Sequence, residues 1–287
     1  MKEIQVSIIC NAYNHERYIR DALEGFVKQK TSFDYEVLIH DDASTDHTAD
    51  IIREYEVLFP DIIKPIYQKE NQYSKKIPVS ASFQYPRVKG KYVAFCEGDD
   101  YWIDYLKLQK QFDAMEAHPE VDICAHASIT ISASDGKEIR KNIRLEKEGL
   151  IPTKAVIEGG GGFVASSSVF YRSDLLNHMP LFRQIYGLDY ATQVHGALRG
   201  GMYYFSDIMS VYRAGVPDSA TQRLVNDISK RIIHGNIMYH VLEQMDKDTD
   251  QKYHKSILRL KLRNRFRQIA LYCIRMINKP TMRRDKN

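Results

Sequence analysis

Residues 92–100 read Tyr92-Val93-Ala94-Phe95-Cys96-Glu97-Gly98-Asp99-Asp100, an apolar run that ends in three carboxylates around one glycine. The apolar run is typical of a buried strand. Hard oxygen ligands at a strand end suit Mg²⁺ or Mn²⁺, and such a cation would in turn hold a diphosphate. Taken alone, the segment also fits an exposed acidic turn in which Gly98 lets the chain change direction sharply.

A second acidic strand end lies upstream, where the apolar run 35–40 leads into Asp41 and Asp42. Adjacent carboxylates repel each other and persist more easily where a cation or hydrogen-bond donors meet them. Alone, this segment fits a polar turn in which Ser44 or Thr45 caps the next helix. Both clusters, however, follow strands of one predicted parallel sheet and therefore share an edge. That placement favours a site for a nucleotide and a metal.

Strand and helix signals alternate around these two segments. Strands are predicted over 6–11, 35–40, 62–68 and 92–96, and helices over 16–28, 45–55 and 104–118. This order predicts an α/β fold with a mainly parallel sheet flanked by helices. The second half is less regular. Its pattern predicts strands over 123–131, 164–171 and 202–212 and helices over 173–178 and 189–199. It also predicts a C-terminal helical extension over 224–245 and 252–278.

The composition is that of an ordinary globular protein, with 287 residues, 44% hydrophobic and 27% charged. Its four cysteines show no CxxC spacing, which is typical of reduced thiols in a cytoplasmic protein and argues against a zinc site. The first apolar run is too short for a signal segment or a membrane span.

Charge is distributed unevenly along the chain. Residues 252–287 hold 12 Lys or Arg and one acidic residue, a local charge of +11 within a net charge of +4, so the remainder carries −7. An acidic body argues against a nucleic-acid-binding surface. The basic helix repeats apolar residues every three or four positions, at Leu262, Phe266, Ile269, Cys273 and Ile277. Such a helix fits peripheral contact with an anionic membrane, or packing on the acidic body or on another subunit of a homo-oligomer.

Four segments together carry a resemblance to a known family: 6–14, 36–46, 90–102 and, more weakly, 209–213. The chain resembles family-2 glycosyltransferases of the GT-A fold, in particular bacterial enzymes of surface-polysaccharide and capsule biosynthesis. The resemblance covers residues 5–213. It implies a Rossmann-like catalytic domain over 1–215, with a nucleotide-binding half over about 1–120 and an acceptor half over 121–215. Residues 216–287 then form the basic helical extension.

The resemblance also implies roles for individual residues. Asn11 and Tyr13 would border the nucleobase, with Tyr13 stacking on it. Asp42, next to Asp41, would accept a hydrogen bond from the ring N–H, as expected for uracil. Glu97 and Asp99, on either side of Gly98, fall where the family has Asp-x-Asp. Asp99 would bind the Mn²⁺ or Mg²⁺ ion, Glu97 would approach the ribose or the metal, Asp100 would adjoin them, and Trp102 would wall the pocket.

Inverting members of the family use a carboxylate from the second half as general base. Asp189 is the candidate, at the start of a predicted helix, where the helix dipole favours its anionic form; a plain helix cap is the alternative. The implied reaction is metal-assisted single displacement from a nucleoside-diphosphate sugar, UDP-sugar favoured. The acceptor would be a hydroxyl of a glycan or lipid-linked oligosaccharide.

The sequence departs from the family pattern at two places. Glu97 replaces the commoner Asp, and no histidine follows Tyr212-Arg213 to complete a metal shell. Asp218, His195 or water would have to substitute. This departure motivates a second hypothesis, a non-catalytic subunit that binds a sugar nucleotide and supports another transferase. A nucleotidyltransferase is more distant, because the glycine-rich basic loop expected after the first strand is absent.

Overall fold

The computed structural model describes residues 3–185, 189–217 and 219–277, with side chains described up to Leu271. The first half alternates strands and helices as the sequence predicts. Its elements are β1 (Ile4–Ala12), α1 (Ile19–Val27), β2 (Asp34–Asp41), α2 (Thr48–Leu58), β3 (Ile63–Tyr67), β4 (Tyr92–Phe95), β5 (Tyr101–Trp102) and α3 (Lys107–Ala117).

The second half contains shorter strands and ends in helices. Its elements are β6 (Ile123–Ser132), β7 (Glu138–Asn142), β8 (Gly149–Ile151), α4 (Thr153–Gly159), β9 (Phe170–Arg172), α5 (Leu181–Gln184), α6 (Asp189–Ala197), β10 (Met202–Ala214), α7 (Ala220–Asn226), α8 (Ile228–Asp248) and α9 (His254–Ile277). Among the helices in the described ranges, none is both long and apolar enough to cross a membrane.

One sheet runs through both halves in the order β3-β2-β1-β4-β9-β6-β10-β5, with β7 beside β6 and β8 beside β10. The four strands from β3 to β4 are parallel, and so are β6 and β10. β9 is antiparallel to both of its neighbours and joins the two parallel groups. This arrangement confirms the predicted α/β fold with a C-terminal helical extension. It also places the ends of β2 and β4 on either side of β1.

Hydrophobic cores lie on both faces of the sheet. Successive strand residues point to opposite faces, so Ile8 packs in one core with α1 and α3. Ile9 packs in the other core, to which α8 and α9 contribute residues such as Leu242 and Leu260. The C-terminal helices are therefore packed on the second half of the chain.

Three local predictions were wrong. The strand expected over 164–171 is a 3₁₀ turn at Ser166–Ser168 followed by the short β9. Neither Ser44 nor Thr45 caps α2, which begins at Thr48 and has its first N–H bonded to Asp46 Oδ1 at 2.9 Å. The helix expected over 224–245 is split at Asp227, whose carboxylate accepts the N–H groups that open α8.

Candidate active site

Main-chain hydrogen bonds continue beyond the strand ends and bring the two acidic segments together. Asp42 donates its N–H to the Ala12 carbonyl at 2.9 Å, and Gly98 donates to the Asn11 carbonyl at 3.0 Å. The end of β1 is thus held between the acidic segments that follow β2 and β4. The sequence prediction that both lie on one edge of the sheet agrees with this geometry.

The turn after β4 concentrates negative charge in a poorly hydrated place. Asp99 and Asp100 are buried and Glu97 is half-buried. Burial, and then the charge of Asp99, raises the pKa of Glu97 and that of Asp100 well above the usual carboxyl range. Asp100 Oδ2 has no hydrogen-bond partner in the described structure. Such a cluster gains stability from any cation placed against it.

Arg213, at the end of β10, holds this acidic turn in shape. Its guanidinium donates to the Asp99 carbonyl at 2.8 Å and to the Asp21 carboxylate, and its main-chain N–H donates to Asp100 Oδ1 at 3.0 Å. The guanidinium also lies 4.3 Å from the ring centroid of Tyr101. The weakest of the four resembling segments therefore contributes a buried positioning residue rather than a ligand.

Gly98 is required for close packing rather than for a sharp turn. Its φ is not in the left-handed region. A Cβ at this position would come within 2.8 Å of Ile19 Cδ1 and 2.9 Å of His15 Nδ1. The absence of a side chain lets the acidic turn rest directly on the loop between β1 and α1.

His15 is an imidazole that the sequence reasoning missed. Its Nε2 lies 3.9 Å from Asp99 Oδ2, and its buried Nδ1 has no described partner. Burial lowers its pKa, which favours the neutral ring. The only signal in the sequence was its position three residues after β1, on the same edge as the acidic segments.

The two adjacent aspartates at the end of β2 have different partners. Asp42 accepts the main-chain N–H of Gln72 at 2.7 Å and of Tyr73 at 3.0 Å, so it fixes the loop after β3. Asp41 accepts from the N–H of Ser44 through Oδ2, while its buried Oδ1 has no described partner. Asp41 is therefore the residue with an unused acceptor oxygen.

Asn11 lies at the end of β1, and Tyr13 directly follows the strand. Asn11 donates to Ser80 Oγ at 2.9 Å and keeps its buried Oδ1 without a described partner. Tyr13 is 41% exposed and offers an accessible aromatic ring. A flat ring and two unused acceptor oxygens, on Asn11 and Asp41, are features that a nucleobase can use.

Asp189 is the first residue of α6 and is open to solvent. Neighbouring protein atoms nevertheless desolvate the carboxylate and raise its pKa, and its charge contributes to the raised pKa of Glu97. The two carboxylates are thus within electrostatic reach of each other, although 92 positions separate them in the sequence. Residues 186–188, which precede the helix, lie outside the described structure.

Two predicted site residues are elsewhere. Trp102 is buried, donates Nε1–H to the Ser167 carbonyl at 2.8 Å and packs edge-on against Phe26. Side chains alternate along β5, so Tyr101 meets Arg213 while Trp102 points into the core, and the prediction of a pocket wall was wrong. His195 does not substitute for the missing histidine, because the Arg183 guanidinium donates to its Nδ1 at 3.0 Å. The neutral ring then carries its proton on Nε2 and has no free nitrogen for a metal. Asp218 lies outside the described residues.

A divalent cation fits the donor chemistry of the site. Within the described ranges, no three His, Cys, Asp or Glu side chains already stand together as a metal site. Glu97, Asp99 and Asp100 nevertheless offer hard carboxylate oxygens at one turn, one of them without a partner. These are the ligands that Mg²⁺ and Mn²⁺ prefer.

The carboxyl ends of parallel strands, where these carboxylates and the exposed ring of Tyr13 lie, are the edge at which α/β proteins bind their ligands. Residues 7–179 match the family model described as glycosyl transferase family 2. The chain therefore belongs to glycosyl transferase family 2.

The chain is also similar to individual proteins. An uncharacterized protein of Mycobacterium bovis is 36% identical over 210 residues, which are 72% of this chain and 58% of that relative. A UDP-Glc:α-D-GlcNAc-diphosphoundecaprenol β-1,3-glucosyltransferase of Escherichia coli is 36% identical over 39% of this chain and 41% of its own length. The fold is similar to S. aureus TarS 1–349 in complex with UDP-GlcNAc, with a TM-score of 0.67 and 18% identity over 92% of this chain and 73% of that one.

Proposed function

We propose that the protein is an inverting glycosyltransferase that moves a sugar from a nucleoside diphosphate to a hydroxyl group. UDP-sugars are the favoured donors, and the acceptor is a glycan or a lipid-linked oligosaccharide of a surface polysaccharide or capsule. The observation that carries the proposal is the buried acidic turn after β4, with Asp99 and Asp100, at the same edge of the sheet as the ends of β1 and β2. Asp189 is near enough for its charge to contribute to the raised pKa of Glu97. The names of the E. coli relative and of the TarS complex support UDP-linked donors.

The donor base is proposed to bind at the ends of β1 and β2. Tyr13 stacks on the base, and Asn11 Oδ1 borders it. Asp41 Oδ1 accepts the ring N–H, because it is the unused buried oxygen of the aspartate pair. Asp42 supports this site indirectly by fixing the main chain at Gln72 and Tyr73. This assignment replaces Asp42 by Asp41 in the role of the base acceptor.

Asp99 and Glu97 are proposed to hold Mn²⁺ or Mg²⁺, with Asp100 adjoining them and Arg213 fixing the turn. When bound, such an ion stabilises the charge that develops on a departing diphosphate. His15 is the nearest described imidazole and takes the place proposed earlier for Asp218 or His195. Asp189 removes the proton from the acceptor hydroxyl, and its raised pKa makes it a stronger base than an ordinary aspartate.

The proposal is tested by diphosphate release and by sugar transfer. Asp189→Asn should lower kcat by at least about 100-fold, the usual contribution of a general base, while nucleotide-dependent thermal stabilisation is retained. Asp174→Asn, on an exposed part of the same half, serves as the matched control. Turnover by Asp189→Asn at the wild-type rate would remove Asp189 from the reaction.

A non-catalytic, sugar-nucleotide-binding subunit is the second candidate, favoured by the missing histidine after Tyr212-Arg213. It predicts binding of a nucleotide without release of the diphosphate from any donor sugar. Residues 1–215 are proposed as the catalytic domain in the first case and as a binding domain in the second. In both, the protein works in the cytoplasm, at the inner face of the cell membrane.

A further inference from the structure

Helix α9 has apolar residues on two opposite sides. Ile257, Leu260 and Leu271 are buried against the body. Leu258, Leu262, Phe266 and Ile269 form a second set, called here the outer stripe, and all are exposed, Phe266 to 72%. At 3.6 residues per turn the two sets lie roughly half a turn apart on the helix. The buried set attaches α9 to the protein, whereas the outer stripe makes no such contact in the described structure.

The outer stripe is bordered by positive charge. Helix α9 contains no acidic residue. The ion pairs that the described structure gives to α9 go through His254, Arg259 and Lys261, and Lys255 and Arg265 are not among them. Both of these residues are exposed and lie within or beside the outer stripe on the helix. The sequence beyond α9, residues 278–287, adds four Lys or Arg and one Asp.

We propose that the outer stripe is a docking surface for anionic lipid. Apolar side chains flanked by Lys and Arg allow a helix to lie in the plane of a membrane, with its apolar face below the headgroups and its cations among them. The long stems of Lys255 and Arg265 can cover apolar surface while their charges reach the phosphates. A membrane explains the apolar residues and the cations together.

A second copy of the chain explains these features less well. A symmetric contact through α9 would bring two stripes bordered by Lys255 and Arg265 against each other, and α9 itself contains no carboxylate to pair with them. Contact between the stripe and the acidic body of another copy is of the head-to-tail kind, which produces rings or open chains. An anionic membrane matches the cations of the stripe without either the charge repulsion of the symmetric contact or the open-ended assembly of the head-to-tail contact.

The docking surface is linked to the proposed acceptor side of the active site. Arg263 on α9 donates to the Glu158 carbonyl at 2.7 Å, at the end of α4. At the same end of α4, Tyr190 of α6 donates to the Ile157 carbonyl at 2.8 Å, and Asp189 is its neighbour in the sequence. If the proposed function holds, docking through α9 brings a lipid-linked acceptor to the helix that carries the base. The docking itself requires neither nucleotide nor turnover.

The test is sedimentation of the full chain with vesicles, without nucleotide or metal. Vesicles of phosphatidylcholine with 30% phosphatidylglycerol are compared with pure phosphatidylcholine, at low and high salt. We expect binding to the anionic vesicles, weakened by salt. Leu262→Ser/Phe266→Ser should lower the partition coefficient by at least about tenfold. The matched control is Val57→Ser/Leu58→Ser, which removes two exposed apolar residues from α2 and should bind as the wild type does.

A charge variant, Lys255→Gln/Arg265→Gln, provides a second measurement that leaves the apolar residues in place. It should weaken binding to anionic vesicles, and circular dichroism verifies that each variant is folded. Three results would overturn the proposal: no wild-type binding to anionic vesicles, equal binding to pure phosphatidylcholine, or a wild-type dimer that Leu262→Ser/Phe266→Ser converts to a monomer. If the wild type binds anionic vesicles but shows no transferase activity, only the proposed function is contradicted.

Discussion

At the scale of single residues, the shape of the candidate active site depends on side chains that hold its carboxylates in place. Arg213 illustrates this, because three of its hydrogen bonds end on the acidic turn or on α1. Its cation offsets part of the charge of the turn and fixes the direction in which Asp99 and Asp100 point. The carboxylates that follow β4 are thus positioned by a residue of β10, the last strand in the sequence.

Replacing Arg213 by Lys should destabilise the protein by about 1–3 kcal/mol, since one ammonium group cannot reproduce the planar contacts to the Asp99 carbonyl and Asp21. Donor turnover should fall as well. Urea denaturation and diphosphate release measure the two effects. Arg20→Lys is the matched control, because Arg20 pairs with Glu54 on the exposed surface and should change stability by less than about 0.5 kcal/mol. Equal effects at both positions would contradict the role of Arg213.

The carboxylates of the acidic turn should make the metal-free protein less stable as pH rises. The pKa values of Glu97 and Asp100 are raised in the folded state. The folded state therefore binds more protons than the unfolded chain at pH values above the ordinary carboxyl pKa. Their contribution to stability is present at acidic pH and is lost as pH rises through the raised pKa values.

This pH dependence can be isolated with Asp100→Asn. In EDTA, the free energy of unfolding of the wild type, relative to that of Asp100→Asn, should decrease between pH 5 and pH 8. Chemical denaturation at several pH values provides the measurement. A difference that stays constant over this range would show that the turn is not under electrostatic strain.

At the scale of elements, the ends of the parallel strands were predictable from the sequence. The shortest strands and the contacts of the loops that follow the strands were not. Apolar runs that end in carboxylates located β2 and β4 from sequence, and the parallel order placed both on one edge. β5 and β8 have two and three residues, too few to produce a period-two signal. The choice between Asp41 and Asp42 depends on which carboxylate the loop at Gln72 engages, a contact across 30 positions that sequence patterns do not contain.

Helix α3 carries a feature that its sequence conceals, a fully buried lysine. Lys107 donates to Gln111 Oε1 at 2.6 Å, and its Nζ lies 3.9 Å from the Trp102 ring centroid. Burial lowers its pKa to about 7. Because the unfolded chain keeps the ordinary lysine pKa, the unfolded state binds more protons between about pH 7 and 10.5. Lys107 therefore costs stability at neutral pH, and the cost vanishes as pH approaches 10.5.

Lys107→Met should raise the free energy of unfolding by on the order of 1–3 kcal/mol at pH 7, because an unbranched apolar chain fills the same space without a charge to desolvate. The gain should shrink steadily towards pH 10. Lys28→Met, at an exposed position paired with Glu24, is the control and should change little. A gain that does not depend on pH would mean that Lys107 is neutral throughout.

At the scale of the whole molecule, the family and the α/β architecture followed from four short segments. The division into domains at residue 215 remains a prediction. The sequence did not indicate where the C-terminal helices pack, and the structure shows that α8 and α9 contribute to the second core. The sequence allows either a membrane or the protein body as the partner of α9, because residues 262, 266 and 269 show the same spacing in either case. Only the fold reveals that a different set of residues attaches the helix to the body.

The strand β9 has a consequence for protein engineering. It belongs to the second half of the chain but lies between β4 of the first half and β6, so the halves share a sheet rather than a linker. A fragment that stops at residue 120 would leave β4 as an open, apolar edge. Such a fragment should be recovered mainly as aggregate, whereas coexpression with residues 121–287 should restore soluble protein. Chimeras that exchange whole halves between relatives must therefore preserve the pairing of β4 with β9, whereas chimeras that exchange only loops leave the sheet intact.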